Sequence, residues 1–151
     1  MIGYLIFAAA WVVLDQAVKF LVRAFIPLHT SLSFLPGFDL TYIRNTGAAF
    51  SIFSSPTWML TVLSGVATAV LLVLLLRRAL PTRLGMLSLS LLLAGAAGNL
   101  IDRLAFGYVT DMFETTFMNF PVFNVADIGV VIGGVLLVLT VLLAGEKEEK
   151  K

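Results

Sequence analysis

The chain has 151 residues, of which 60% are hydrophobic and 13% charged, with a mean hydropathy of +1.02; soluble domains carry about 25% charged residues, so a soluble globular class is excluded. A net charge of +1 gives no field for an acidic substrate, and no nucleic acid partner is expected. With no cysteine in the chain, disulfides, thiolate metal sites and a thiol nucleophile are all ruled out.

The first apolar run covers residues 2–26 and is interrupted by Asp15, Gln16, Lys19 and Arg23. It is too long and too polar inside for a cleaved signal peptide. Asp15 and Lys19, one helical turn apart, face the same way. One reading is an ion pair that spares the helix two lone charges in lipid, with Lys19 snorkelling outward. The other has them organise an outer sheet or a catalytic partner. Beyond this run, Pro36-Gly37 is a turn signal. Residues 38–44 alternate well enough for a strand that pairs with 32–35, making a small outer sheet within about 31–51. Asn45-Thr46-Gly47-Ala48-Ala49-Phe50-Ser51 follows, either as a loop re-entering the bilayer edge or as a substrate-binding segment around Asn45 and Gly47. The Asn45 amide both donates and accepts, which suits the second reading. His29, in the same outer stretch, is expected to be a solvated surface residue.

Three more apolar runs cover 58–76, 84–104 and 125–144. The third run of the chain holds Ala94-Gly95-Ala96-Ala97-Gly98, and the fourth holds Gly129 and Gly133 at GxxxG spacing; small residues let helices approach closely in lipid. Pro27, Pro56, Pro81 and Pro121 fall in the connections. The expected fold is an all-α membrane protein, a four-transmembrane-helix bundle with a small extracytoplasmic β-sheet between helices one and two. It forms a single integral membrane domain over 1–151 with a tail at 145–151. Arg77, Arg78 and Arg83 in the link after helix two, with Lys147, Lys150 and Lys151 in the tail, put both termini in the cytoplasm. Segments 27–57 and 105–123 then face outward.

On that outer side lie the acids. Asp111 and Asp127 flank a short loop between the last two runs, and a carboxylate in the hydrocarbon core costs about 2.5–3.5 kcal/mol on insertion scales. Its presence there is a functional hypothesis. Two close carboxylates share one proton and activate water, the chemistry of aspartic proteases. Asn99 and Asp102 share a face of helix three, and the adjacent Arg103 favours an ionised Asp102, hence a scaffold and not a proton-sharing catalyst. No metal or cofactor is called for, since the acids lack any accompanying histidine spacing. A proton-coupled transporter or assembly factor with a carboxylate relay is the reading from another class. Against it, the acids cluster at one membrane face and no internal repeat is visible.

Asp15-Gln16-Ala17-Val18-Lys19, the Asn45–Ser51 stretch, Gly98-Asn99-Leu100-Ile101-Asp102-Arg103, Val109-Thr110-Asp111 and Phe123-Asn124-Val125-Ala126-Asp127 together resemble the signature blocks of the lipoprotein signal peptidase (signal peptidase II) family. The resemblance implies a bacterial inner-membrane aspartyl endopeptidase that removes signal peptides from diacylglyceryl-modified prolipoproteins by cutting before the lipidated cysteine. It implies a catalytic dyad of Asp111 and Asp127, with Asp15, Lys19, Asn45, Gly47, Asn99, Asp102, Arg103, Asn124 and Ala126 as supporting or substrate-binding positions. Its implied partners are lipidated prolipoproteins, membrane lipid and cyclic peptide inhibitors of the globomycin type, with the active site on the extracytoplasmic side.

Overall fold

A computed structural model describes residues 1–47 and 57–149. Among these residues four helices and three strands follow in the order α1 (Ile2–Phe25), β1 (Ser31–Leu35), β2 (Phe38–Asn45), α2 (Thr57–Leu76), α3 (Arg83–Phe106), β3 (Val109–Thr115) and α4 (Val125–Glu149). All four helices are long and apolar enough to cross a membrane. The expected four-helix bundle with a small sheet is what forms.

The bundle is arranged around α3, against which α1, α2 and α4 all pack. Small residues make that possible, because apolar side chains gain nothing from leaving lipid and close backbone approach must hold the helices together. A methyl group on Gly95 would stand 2.5 Å from the Ala126 carbonyl oxygen, and one on Gly98 would stand 2.6 Å from an Asp15 carboxylate oxygen. The Gly129–Gly133 spacing serves two neighbours. Gly129 lies under the Trp11 indole of α1, and Gly133 against Leu92 and the Ser88 carbonyl of α3.

A core of Ala8, Leu75, Met86, Leu89, Leu93 and Ala94 ties α1, α2 and α3 at one end, where Met1 and Leu80 also pack. The chain start and the α2–α3 link therefore share an end. At the other end Val22 and Ile26 meet Tyr42 and Met112, which seats the sheet on the last turn of α1.

The sheet is antiparallel in the order β1-β2-β3, with Leu32 opposite Leu40 and Ile43 opposite Asp111. Pro36 and Gly37 make the β1–β2 turn, and Gly37 takes a φ of 89° that a side chain would resist. One expectation is corrected here. The sheet is not confined to the segment between the first two helices, because its third strand comes from between α3 and α4 and carries Asp111. Val109, Thr110, Asp111 and Met112 are buried one after another, so the strand shows none of the in–out alternation of a half-exposed one. A left-handed Gly107, at φ 76°, ends α3 and lets the chain turn into β3. Helix α4 continues to Glu149, past its spanning part, which ends at Gly145 close to the expected 144. Its apolar stripe ends there, but Glu and Lys are good helix formers and carry the helix on.

Candidate active site

Asp127 is held by the way α4 begins. Asn124, just before the helix, accepts the Asp127 N–H on its Oδ1 at 2.9 Å, and the Asn124 N–H donates to Asp127 Oδ2 at 3.1 Å. This is a reciprocal cap in which both partners satisfy backbone donors that the helix start leaves unpaired. From α1, Asp15 Oδ1 accepts the Ala126 N–H at 2.8 Å and the Trp11 indole donates to the Val125 carbonyl at 3.1 Å. The first turn of α4, with Asp127 on it, is fixed from three sides. Ala126 is fully buried where α4 meets Gly95 and Gly98, leaving no room for a larger side chain.

Asp111 reaches the same place from β3. Asn124 Nδ2 donates to its Oδ1 at 2.6 Å and Asn45 Nδ2 to its Oδ2 at 2.9 Å. The Asn45 amide is itself oriented, since its Oδ1 accepts the Gly47 N–H at 3.0 Å and only Nδ2 is left to face the acid. One asparagine, Asn124, thus bonds both carboxylates. Burial pushes the Asp111 carboxyl up to about 7, and the Asp127 carboxylate beside it adds to the rise, against the pull of the Asn45 and Asn124 amides and of Lys19.

Behind the pair lies a buried charge cluster. Lys19 and Asp15 are 2.8 Å apart and both side chains are wholly buried, so Lys19 does not snorkel outward as the ion-pair reading proposed. Lys19 instead donates to Asn99 Oδ1 at 2.9 Å, and Asn99 Nδ2 donates to Asp127 Oδ1 at 2.8 Å. The ion pair of the first reading forms, without the snorkelling, and its ammonium also reaches the Asn99 amide that bonds Asp127.

Asp102 corrects a further expectation. Its partners are Lys19 at 3.9 Å, Arg23 at 3.5 Å and the Thr110 N–H at 2.8 Å, not Arg103. Adjacent residues on a helix point roughly 100° apart, so a neighbour in sequence is not a neighbour on a face. Asp102 anchors the start of β3 to α3. Arg103 turns the other way and donates to Ser64 Oγ of α2 at 3.1 Å.

The two acids open on a cavity of about 440 Å³ lined by Asn45, Gly47, Asn99, Arg103, Val109, Asp111, Phe120, Pro121, Val122, Phe123, Asp127, Ile128, Val131 and Ile132. Its walls are mostly apolar, with polar groups converging at one end, the usual form of a ligand site. Val131 and Ile132 lie on the exposed flank of α4, so the cavity reaches the lipid-facing surface. Of the expected site residues, Asn45, Gly47, Asn99, Arg103, Asp111 and Asp127 line it. Asn124, Lys19, Asp15, Asp102 and Ala126 stand behind them. Residues 48–51 of the Asn-Thr-Gly stretch lie outside the described residues.

A family profile described as signal peptidase (SPase) II, peptidase A8, matches residues 7–143. The chain belongs to the signal peptidase II family. A lipoprotein signal peptidase of Enterococcus faecalis is 40% identical over 152 residues, spanning 100% of this chain and 94% of that protein. One from Lactococcus lactis subsp. lactis is 40% identical over 147 residues, with 97% and 96% covered. A solved bacterial membrane enzyme, determined by the in meso method, superposes with a TM-score of 0.91 at 28% identity and covers 100% of this chain and 94% of its own. A second such structure gives 0.84 at 30% identity, with 94% of each chain covered.

In this member of the signal peptidase II family four further residues do work that sequence reasoning did not assign. Gln16 Nε2 lies within 3.0–3.3 Å of the Gly98 carbonyl, Asp15 and Asp102, bridging the two buried acids. Arg23 bonds the Thr110 hydroxyl at 2.9 Å as well as facing Asp102. Ser64 receives Arg103, and Trp11 holds α4. For Arg23 a signal existed, since Asp15, Lys19 and Arg23 recur every fourth residue along one stripe of α1. Every buried side-chain polar atom among the described residues has a partner. Among those residues no group of three or more His, Asp or Glu side chains forms a metal site.

Proposed function

We propose that this chain is an aspartic endopeptidase that removes signal peptides from diacylglyceryl-modified prolipoproteins, cutting just before the lipidated cysteine. Family membership supports the peptidase and its substrate class. The observation that carries the aspartic mechanism is the joining of Asp111 and Asp127 through Asn124 at the mouth of an apolar cavity. With its carboxyl pushed up to about 7, Asp111 holds the proton of the pair near neutrality and donates it to the scissile carbonyl. Asp127, fixed by Asn99 and the Asn124 N–H, takes a proton from the attacking water. The tetrahedral intermediate then collapses as a proton passes to the leaving amine.

The lipid-facing flank at Val131 and Ile132 lets a substrate anchored by acyl chains enter sideways from the bilayer. Arg103 and Asn45 at the rim hold the peptide backbone, and a globomycin-type cyclic peptide is expected to occupy the same cavity uncleaved. The arginine-bearing α2–α3 link, at the end shared with Met1, faces the cytoplasm together with both termini. The sheet and dyad then face the extracytoplasmic side of the bacterial inner membrane, with the chain acting as one integral membrane domain.

The test is cleavage of a purified prolipoprotein, with and without its diacylglyceryl group, by the chain in proteoliposomes. Release of the signal peptide from the lipidated form alone, lost in Asp127→Asn, is the expected result. Cleavage that persists in Asp111→Asn and Asp127→Asn overturns the aspartic mechanism.

A further inference from the structure

On the side of the sheet away from the dyad, two arginines sandwich a pair of aromatic rings. The Arg23 guanidinium lies 4.5 Å from the Phe106 ring centre, Phe106 is 5.8 Å from Tyr108, and the Arg44 guanidinium is 4.9 Å from Tyr108. Arg23 comes from the end of α1, Phe106 from the end of α3 and Arg44 from β2, so three elements build the ribbon. Stacking on aromatic faces fixes each guanidinium plane and leaves its edge N–H groups for another acceptor.

Arg44 uses its Nε on the Tyr42 hydroxyl at 3.1 Å and makes no salt bridge among the described residues. It is exposed, whereas Arg23 is mostly covered and spends one nitrogen on Asp102 and Thr110. Burial and the Tyr42 hydroxyl push the Tyr108 phenol up, keeping it an O–H donor, while both arginines act on it in the opposite sense. Arg44 and the Tyr108 hydroxyl, 3.4 Å from the Tyr42 hydroxyl that accepts the Arg44 Nε, therefore present donors side by side at one exposed place, with no carboxylate paired to Arg44 among the described residues.

The surroundings say what meets it. Phe20 and Leu104, which precede Arg23 and Phe106 on α1 and α3, are exposed at 62% and 69% on helices long and apolar enough to cross a membrane. The cluster lies where α1 and α3 end and the sheet begins. The cluster stands at the depth where hydrocarbon gives way to headgroups, and that is where phosphate groups sit.

We propose that Arg44, with the Tyr108 hydroxyl, forms a binding site for the phosphate of one anionic phospholipid headgroup in the leaflet at the sheet end of the bundle. Guanidinium pairs with phosphate through paired N–H donors, and among the described residues Arg44 has no carboxylate beside it to answer a headgroup's own cation, so a net-neutral headgroup is disfavoured. The bound lipid pins the sheet end of α1 to the membrane surface. It occupies a place separate from the peptidase cavity.

The experiment uses the full chain in nanodiscs containing equal phosphatidylglycerol and phosphatidylcholine, followed by native mass spectrometry of the lipids retained. One phosphatidylglycerol per chain is expected in preference to phosphatidylcholine. Arg44→Gln is expected to cut that preference about fivefold, the weight of one arginine near a charged membrane surface. Arg44→Lys, which keeps charge but loses the planar fork, falls between the two. Arg77→Gln, which removes an arginine from the opposite end of the bundle, is the charge control, and an equal fall there overturns the proposal by reducing the effect to net charge. Melting temperatures measured alongside establish that Arg44→Gln is folded. An unaltered preference in folded Arg44→Gln overturns the proposal. So does loss of the wild-type preference on adding millimolar inorganic phosphate, which assigns the site to a soluble anion.

Discussion

Lys19 donates to Asn99 Oδ1 over 2.9 Å, and that bond decides which way the Asn99 amide faces. An ammonium has only donors, so Asn99 must offer it oxygen and turn Nδ2 toward Asp127, 2.8 Å away. A buried cation on α1 thereby orients an acid on α4.

Removing that cation is predicted to cost both stability and rate. Lys19→Met leaves Asp15 and Asp102 buried with less compensation, and breaking such a pair costs about 3–5 kcal/mol. Thermal melts in one detergent are expected to show the loss, with partial recovery in the double variant Lys19→Met/Asp15→Asn. A parental melt for Lys19→Met would mean the ammonium holds nothing together.

The dyad variants are predicted to separate rate from stability. Asp111→Asn and Asp127→Asn keep shape, but each sets an amide NH2 against one of the two donors its carboxylate accepts from, and neither can exchange the proton, which is worth at least about 10²–10⁴ in rate for one acid or base. Processing assays are expected to show near-complete loss at temperatures where both variants, melting somewhat below the parent, are still folded. Retained cleavage in either variant removes that residue from the dyad.

A pH dependence follows from Asp111. Its carboxyl rises from 3.8 to about 7 in the folded protein. A folded-state pKa above the unfolded one means the folded state binds the proton more tightly. The stabilising contribution is therefore complete below 3.8 and is lost as pH rises through about 7. The parent is expected to lose melting temperature across that window more steeply than Asp111→Asn. Cleavage is expected to fall above about 7 as the pair gives up its shared proton. Parallel melting curves for the two proteins would place the titration elsewhere.

Much of this was legible in the sequence because lipid imposes simple rules. A 20-residue apolar run has few alternatives to a spanning helix, and acids beside such runs stand out because charge there is costly. What escaped was what tertiary contact decides. Strand β3 has both faces covered at Asp111 and Met112, so its pattern carried no alternation. The pairing of Asp102 with Lys19 and Arg23 joins α3 to α1 over a distance that sequence does not encode, while the adjacent Arg103 offered a false partner. Gln16 stood inside a recognised block yet gained its meaning only from the two acids it bridges.

The corrected partners of Asp102 make a rescue experiment decisive. Asp102→Asn leaves Arg23 without its carboxylate and weakens the acceptor for the Thr110 N–H, so the start of β3 loosens. Adding Arg23→Gln is expected to recover part of the melting temperature, because it removes the charge left over. Adding Arg103→Gln is expected to recover none, since Arg103 bonds Ser64. Rescue by Arg103→Gln would restore the neighbouring pair as the real one.

Helix spacing at the dyad gives the last prediction. A methyl group on Gly95 would sit 2.5 Å from the Ala126 carbonyl oxygen and 2.5 Å from Val130 Cγ2, closer than any real contact. The oxygen belongs to α4 backbone and cannot swing aside, so Gly95→Ala must push α3 and α4 apart. Overpacking of this kind costs about 1–3 kcal/mol. The displaced residue adjoins Asp127, so the Asn99–Asp127 and Asn124–Asp127 bonds lengthen as well. Cleavage is therefore expected to fall even at temperatures where the variant is fully folded. Gly134→Ala is the control, because nothing lies within 4 Å of its new methyl group. It is expected to melt at or slightly above the parent, since alanine favours a helix over glycine by about 1 kcal/mol, and to cleave at the parental rate. Folded Gly95→Ala cleaving as fast as Gly134→Ala would show that the α3–α4 spacing does not set the position of Asp127.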